Sequence, residues 1–179
     1  EGDWSNAAFW LVAGAIGGSI GCQGLDMESP QGDRAIAALL EEFGAETRVA
    51  LNQITAIHKE MKGIRIDASQ IPDLVPILCV AAAAAEGKTE IYNAGRLRMK
   101  ESDRLAVMAE CMQKIGVEVE ERPDSIIITG GCNPPEGEIV IDSHNDHRIV
   151  MAMAIAAVSL GVELTILGAE AVNKSYPSF

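Results

Sequence analysis

Apolar and polar positions along this chain fall into blocks, and the blocks recur in one order. Three nearly all-apolar stretches, residues 6–16, 71–86 and 145–160, are each opened by a short polar turn. The turns read Gly2-Asp3-Trp4-Ser5, Ile71-Pro72-Asp73 and Asn145-Asp146-His147-Arg148. A glycine closes each stretch (Gly18, Gly87, Gly161), and a strand-like segment follows at 19–24, 89–93 and 163–167. A second charged turn comes next: Gln31-Gly32-Asp33-Arg34, then Lys100-Glu101-Ser102-Asp103-Arg104, then Lys174-Ser175-Tyr176-Pro177. The first two of these open amphipathic helices that end near Gly44 and Gly116, and the third is followed only by Ser178 and Phe179. The recurrence distance, about 70–74 residues, marks an internal repeat, with units at 1–66, 67–141 and 142–179 and the third expected to be truncated.

A helix that is apolar all round has to be buried on every side. The first helix of each unit is of that kind. The second is not: Leu105, Met108, Ala109, Met112 and Ile115 recur at helical spacing and mark one buried face. Further strand-like stretches occupy 47–57, 63–66, 117–121, 125–129 and 138–141. The expectation is an α/β chain of the α+β type. Repeated βαβαββ-like units would hold three parallel helices inside and sheets outside. With 179 residues the chain fits one domain, since domains hold roughly 100–200 residues. Glu1 runs straight into structured-looking sequence, so this domain is expected to be incomplete and to begin inside a longer protein.

Composition narrows the function. A net charge of −12 argues against nucleic acid, whose binders carry a basic patch or stripe. It also rules out long-range attraction of an anionic substrate, so any anion site has to be built locally. The four cysteines, Cys22, Cys79, Cys111 and Cys132, form no C-x-x-C pair and read as reduced thiols of a cytoplasmic protein. No stretch reads as a signal peptide. The apolar run 74–85 is too short to span a bilayer, which takes about 20 residues.

Convergent helix starts answer the charge problem. The first turn of a helix presents unpaired N–H groups and the positive end of its dipole, a natural anion site. The repeat would bring such turns together, and they carry Asp73, Lys100, Glu101, Asp103, Arg104, His144, Asp146, His147, Arg148 and Lys174. Taken singly each has a plainer reading. Asp73 and Asp103 would be first-turn helix acids. Lys100 and Glu101 would be solvated, and Arg104 and Arg148 would be local ion pairs. His144 and His147 show an H-x-x-H spacing beside Asp146, but no further ligand set with metal-site spacing accompanies them, so no metal is expected. Coincidence of cations at equivalent helix starts, where the dipole disfavours them, points instead to an anionic ligand.

These segments together resemble a known family. The run 100–104, followed by an apolar helix and Gly116, is similar to the K-E-[ST]-D-R segment of EPSP synthases. Residues 145–152 resemble their N-D-H-R-x-A-M-A segment, with Val150 in place of the usual Ala, and residues 174–179 resemble K-[ST]-[FY]-P-x-F. Ile71-Pro72-Asp73 and Glu1-Gly2-Asp3-x-Ser5 match as well, so the resemblance covers essentially the whole chain.

The resemblance implies an enolpyruvyl transferase of the shikimate pathway of aromatic amino-acid biosynthesis, the target of the herbicide glyphosate. Such an enzyme joins phosphoenolpyruvate to the 5-hydroxyl of shikimate 3-phosphate and releases phosphate, with no cofactor. It also implies one domain of a two-domain, inside-out α/β barrel, here the C-terminal domain, whose partner is the missing N-terminal domain. By the same resemblance Asp73 orients or deprotonates the attacking hydroxyl, and Glu101 is the acid that protonates the methylene carbon and later removes a proton. Lys100 contacts shikimate 3-phosphate; Arg104, Arg148 and Lys174 hold phosphoenolpyruvate, with His147 beside them. Arg96 stands where some members place an asparagine that contacts the shikimate phosphate, and that role is not carried over. The alternatives are the sister transferase acting on UDP-N-acetylglucosamine and a catalytically dead substrate-binding domain.

Overall fold

A computed structural model describes residues 2–179; Glu1, the first residue of the Glu1-Gly2-Asp3-x-Ser5 segment, lies outside the described residues. Three helices form the centre and pack against one another: α1 (Trp4–Gly17), α3 (Val75–Ala84) and α5 (His147–Leu160). α1 and α5 start from side-chain caps, Asp3 accepting from the Ser5 amide and Asp146 from the Arg148 amide. A 3-10 turn, Pro72–Leu74, leads into α3 without a side-chain cap. Two shorter amphipathic helices, α2 (Ile36–Phe43) and α4 (Arg104–Lys114), pack outside α1 and α3 respectively. Glycines with φ of 108° and 81° (Gly44, Gly116) follow them, the left-handed conformation that glycine adopts without strain.

The strands make three separate sheets on the outside of the helices. In the first, β1 (Ser19–Gln23), β3 (Gln53–Ile57) and β2 (Glu46–Ala50) are antiparallel in the order β1-β3-β2. The second has the order β4-β5-β7-β6, from β4 (Arg65–Asp67), β5 (Lys88–Tyr92), β6 (Glu118–Arg122) and β7 (Ser125–Thr129). Here β4 runs parallel to β5 and the other neighbours are antiparallel. The third is a parallel pair, β8 (Val140–Asp142) with β9 (Thr165–Leu167).

Helices inside and sheets outside agree with the hydrophobic pattern, and one connected core runs from Trp4 to Val162. The enclosure is less even than expected. From Val75 to Ala83 every residue of α3 is buried, because α4 and the four-stranded sheet cover it. α1 leaves Ala7, Trp10, Ala13 and Ile16 partly open, and on α5 Val158 is 85% exposed. The stretch 47–57 is not one strand but a hairpin. It turns at Leu51 (φ 55°), fully exposed, because the two halves pair with each other. A 3-10 turn at Gly95–Met99, unforeseen in the sequence, precedes the Lys100 segment. All four cysteines are unpaired, and burial pushes the Cys111 thiol up to about 12. Among the described residues no helix is long and apolar enough to cross a membrane.

Candidate active site

Every named turn around the helix starts is tied to another by a side chain. At the centre is Arg104, the first residue of α4, with a side chain only 1% exposed. Its Nε and Nη2 grip both oxygens of Asp146 at 2.9 and 3.3 Å. Nη1 donates to Asp73 Oδ1 at 2.9 Å and Nη2 to Glu101 Oε2 at 2.5 Å. A fork holding three carboxylates uses the planar five-donor geometry that a lysine lacks.

Arg148, in the first turn of α5, links the other two central helices. It donates to Ser5 Oγ at 3.1 Å and to the Asp73 carbonyl at 3.3 Å, and it lies 3.4 Å from Asp73 Oδ2. The N-terminal ends of α1, α3 and α5 therefore meet at one point. Lys100 Nζ adds a third cation, 3.2 Å from Asp73 Oδ1.

The two aspartates at helix starts differ in what their carboxylates meet. Asp103 is the N-cap of α4, accepting from the Ala106 amide, and so serves the helix start itself. Asp73 caps nothing: its carboxylate faces Arg104, Arg148 and Lys100. Burial alone would push that carboxyl up, but the three cations outweigh burial and hold it below its ordinary value. Asp146 behaves alike: burial raises its carboxyl and Arg104 lowers it further.

Three cations, Arg104, Arg148 and Lys100, thus face three carboxylates, Asp73, Glu101 and Asp146. Glu101 is the most open of them, with its side chain 45% exposed.

His147 is buried beside this cluster, and its Nδ1 has no hydrogen-bond partner. Burial and the neighbouring Arg148 charge lower its pKa, which keeps the ring neutral near pH 7. His144 is exposed instead, so the H-x-x-H pair does not converge, and no cluster of three metal-ligating side chains occurs among the described residues.

Lys174 departs from expectation. It ends a 3-10 turn, Ala169–Lys174, rather than opening a helix, and its ammonium reaches the Asn145 carbonyl at 2.6 Å. It therefore stands at the rim of the cluster, exposed. Lys100 likewise precedes α4 by four residues rather than opening it.

A cleft of about 370 Å³ opens beside Asp73, between the turns that start α1, α2 and α3. Arg96 lines it, exposed and with no carboxylate partner among the described residues. Asp33 lines it too, and its carboxyl is pushed up to about 6. Burial is the main cause, and the Asp73 and Asp3 charges raise it further against the pull of Arg148 and Lys100.

Asp33 and Asp146 were given no role of their own from sequence. Asp146 had a signal, a cap position next to an arginine, but its burial did not. Asp33 had only its place in a repeated turn.

A helical interior wrapped by sheets, with cations and carboxylates collected at one end of the helices, defines the chain as having the enolpyruvyl transferase fold. It matches the enolpyruvyl transferase NikO from Streptomyces tendae with a TM-score of 0.72 at 18% identity, over 97% of this chain and 40% of that one. An EPSP synthase structure from Acinetobacter baumannii matches with a TM-score of 0.78 and 32% identity, over 97% of this chain and 43% of that one.

The family model for EPSP synthase (3-phosphoshikimate 1-carboxyvinyltransferase) matches residues 1–179, and the chain belongs to that family. A 3-phosphoshikimate 1-carboxyvinyltransferase of Clostridium kluyveri is 49% identical over 179 residues, which is 100% of this chain and 42% of the relative. The chain thus spans about two fifths of the length of the curated relatives it matches.

Proposed function

We propose that this chain is the larger part of the C-terminal domain of a cytoplasmic EPSP synthase, built of repeat units 1–66, 67–141 and 142–179. The complete enzyme would transfer the enolpyruvyl group of phosphoenolpyruvate to the 5-hydroxyl of shikimate 3-phosphate. The observation that carries this reading is the convergence of Asp73, Lys100, Glu101, Arg104 and Arg148, drawn from three distant segments, in a chain of this family.

The chemistry follows from what each group is able to do. Asp73, held ionised by its cations, is the base or orienting acceptor for the attacking hydroxyl. Glu101 is the acid for the methylene carbon. It lies against Arg104 and is open to solvent, so a donor carboxylate or phosphate that took over the Arg104 fork would release it to carry a proton. Arg148 and the rim cation Lys174 hold the remaining donor oxygens, since guanidinium binds oxyanions in a two-point fashion. Lys100 meets the shikimate phosphate. His147, neutral beside Arg148, lines the donor side.

Protonation of the donor carbon creates an oxocarbenium-like centre, the hydroxyl adds to it, and loss of phosphate with a proton restores the alkene. Arg96, unpaired on the cleft wall, is an additional cation for the acceptor phosphate.

The remaining substrate groups belong to a domain outside this chain, so the isolated chain is expected to release no phosphate. Phosphate release by the full-length protein, dependent on both shikimate 3-phosphate and phosphoenolpyruvate, tests the reading. Turnover with UDP-N-acetylglucosamine in place of shikimate 3-phosphate would overturn it in favour of the sister enzyme. No turnover with either acceptor would favour a dead binding domain.

A further inference from the structure

The segment carrying Lys100 and Glu101 is poorly anchored by ordinary means. Its flanking apolar anchors are Leu97 and Leu105, both fully buried, while Met99 between them is 81% exposed. Of the polar ties in this stretch, Lys100 to Asp73, Glu101 to Arg104 and Ser102 to Asp146 all lie inside the candidate site. A ligand entering that site competes for the first two.

Arg98 is different. All five of its N–H donors are matched, and every partner lies outside the cluster. Nε donates to the Pro123 carbonyl at 2.9 Å, and Nη2 to Glu121 Oε1 and the Arg122 carbonyl, both at 2.8 Å. Nη1 grips Asp103 through both oxygens, at 3.2 and 2.9 Å. Asp103 in turn caps α4, whose first residue is Arg104.

Arg98 therefore joins the start of the 99–102 loop to its end and bolts both to the β6–β7 hairpin. The Ala94 and Gly95 amides hold the same hairpin at Asp124.

We propose that Arg98 is a positioning residue for Lys100 and Glu101: it holds their loop in the geometry the reaction needs while the ties inside the site exchange for substrate. The inference rests on the function proposed above. Partly exposed ion pairs of this kind contribute little to global stability, but the five bonds together fix where the loop sits. Small misplacements of a reacting group lower rates steeply, by on the order of a hundredfold for about 1 Å.

The test uses the full-length enzyme with Arg98→Gln and Arg98→Lys, each alone and combined with Glu101→Gln. Arg65→Gln, which breaks an exposed ion pair with Glu90 on the same sheet, is the control. Arg98→Gln is expected to lower kcat by roughly tenfold or more and to raise KM for shikimate 3-phosphate, leaving KM for phosphoenolpyruvate and the melting temperature nearly unchanged. Arg98→Lys, with three donors in place of five, recovers only part of the loss. In the Glu101→Gln background the further loss of kcat nearly vanishes, while the rise in KM for shikimate 3-phosphate, which depends on Lys100, remains.

Equal losses in both backgrounds, or kcat as in Arg65→Gln, would overturn the assignment. Amide exchange over 99–103 separates this inference from the function it rests on. If Glu101→Gln itself keeps full turnover, the acid assignment fails, and exchange then decides alone: faster exchange in Arg98→Gln supports the positioning role, and unchanged exchange refutes it.

Discussion

Asp3 and Asp146 cap two of the central helices in the same way, but only Asp146 is also the partner of a buried guanidinium. Replacing each by alanine therefore isolates the worth of that pairing. Loss of a cap alone costs about 1 kcal/mol, and that is the expectation for the exposed Asp3. Asp146→Ala loses the cap and also strips two hydrogen bonds from Arg104 and one from Ser102. Both Arg104 and Asp146 are essentially without solvent contact, at 1% and 0% side-chain exposure. Removing one member of a buried pair costs about 3–5 kcal/mol. Asp73 and Glu101 still face Arg104, so the lower end applies and the total is about 4 kcal/mol. Equilibrium urea unfolding followed by circular dichroism measures both variants. In a chain of this size the melting temperature should fall by roughly 8–16 °C for Asp146→Ala and roughly 2–4 °C for Asp3→Ala. Asp146→Asn, which keeps a capping oxygen, should fall between them. If the two alanine variants agreed within about 1 kcal/mol, the buried ion pair would not have the energetic role assigned to it.

The other expectations concern chemistry, pH and backbone. In the full-length protein Glu101→Gln should lower kcat by about a hundredfold or more while phosphoenolpyruvate binding stays within a few fold, as steady-state kinetics and titration would read. Arg148→Lys should instead weaken donor binding by roughly tenfold, because the fork to Ser5 and Asp73 is lost. Asp33→Asn should stabilise the fold near pH 7. The folded carboxyl at about 6 lies above its ordinary 3.8, so deprotonation as pH rises through 6 disfavours folding, and the gain should disappear below about pH 4 in a melting series. Asp73 and Asp146 are shifted the opposite way, so the stability they add is present above ordinary carboxylate pKa values and is lost as pH falls further. Gly116→Ala should cost about 2 kcal/mol or more in chemical unfolding, since φ is 81° and a Cβ would sit 1.8 Å from the Asn133 carbonyl.

Local signals carried most of the architecture. Glycines at 18, 87 and 161 and the polar turns before each apolar run place the central helices within a few residues of where they lie, because caps and apolar runs act over a single turn. The candidate site residues Asp73, Lys100, Glu101, Arg104, His147 and Arg148 were legible as a group for a different reason: a repeat implies that equivalent turns meet. Pairings across the fold were not legible. That Asp73 turns to Arg104 rather than to its own helix, and that Arg98 reaches the tip of a hairpin, depends on segments more than 20 residues away. The hairpin at Leu51 was hidden because both of its arms have strand-like patterns, and the turn has no glycine to announce it.

Arg104 has a consequence for how the chain acquires its structure. Its guanidinium is completed by carboxylates 31 and 42 residues away, and Arg148 reaches Ser5 across 143 residues. Asp73 and Glu101 come from the same stretch of chain as Arg104, but Asp146, which accepts two of its hydrogen bonds, lies beyond the second sheet, and Arg148 next to Asp146 reaches back to the first helix. Burying the guanidinium before Asp146 is in place would leave two of its hydrogen bonds unmade, at a cost in free energy. Folding is thereby made cooperative across units that look, from their repetition, as if they were able to fold one at a time. The assembly of the charged cluster and the packing of the three central helices become a single event.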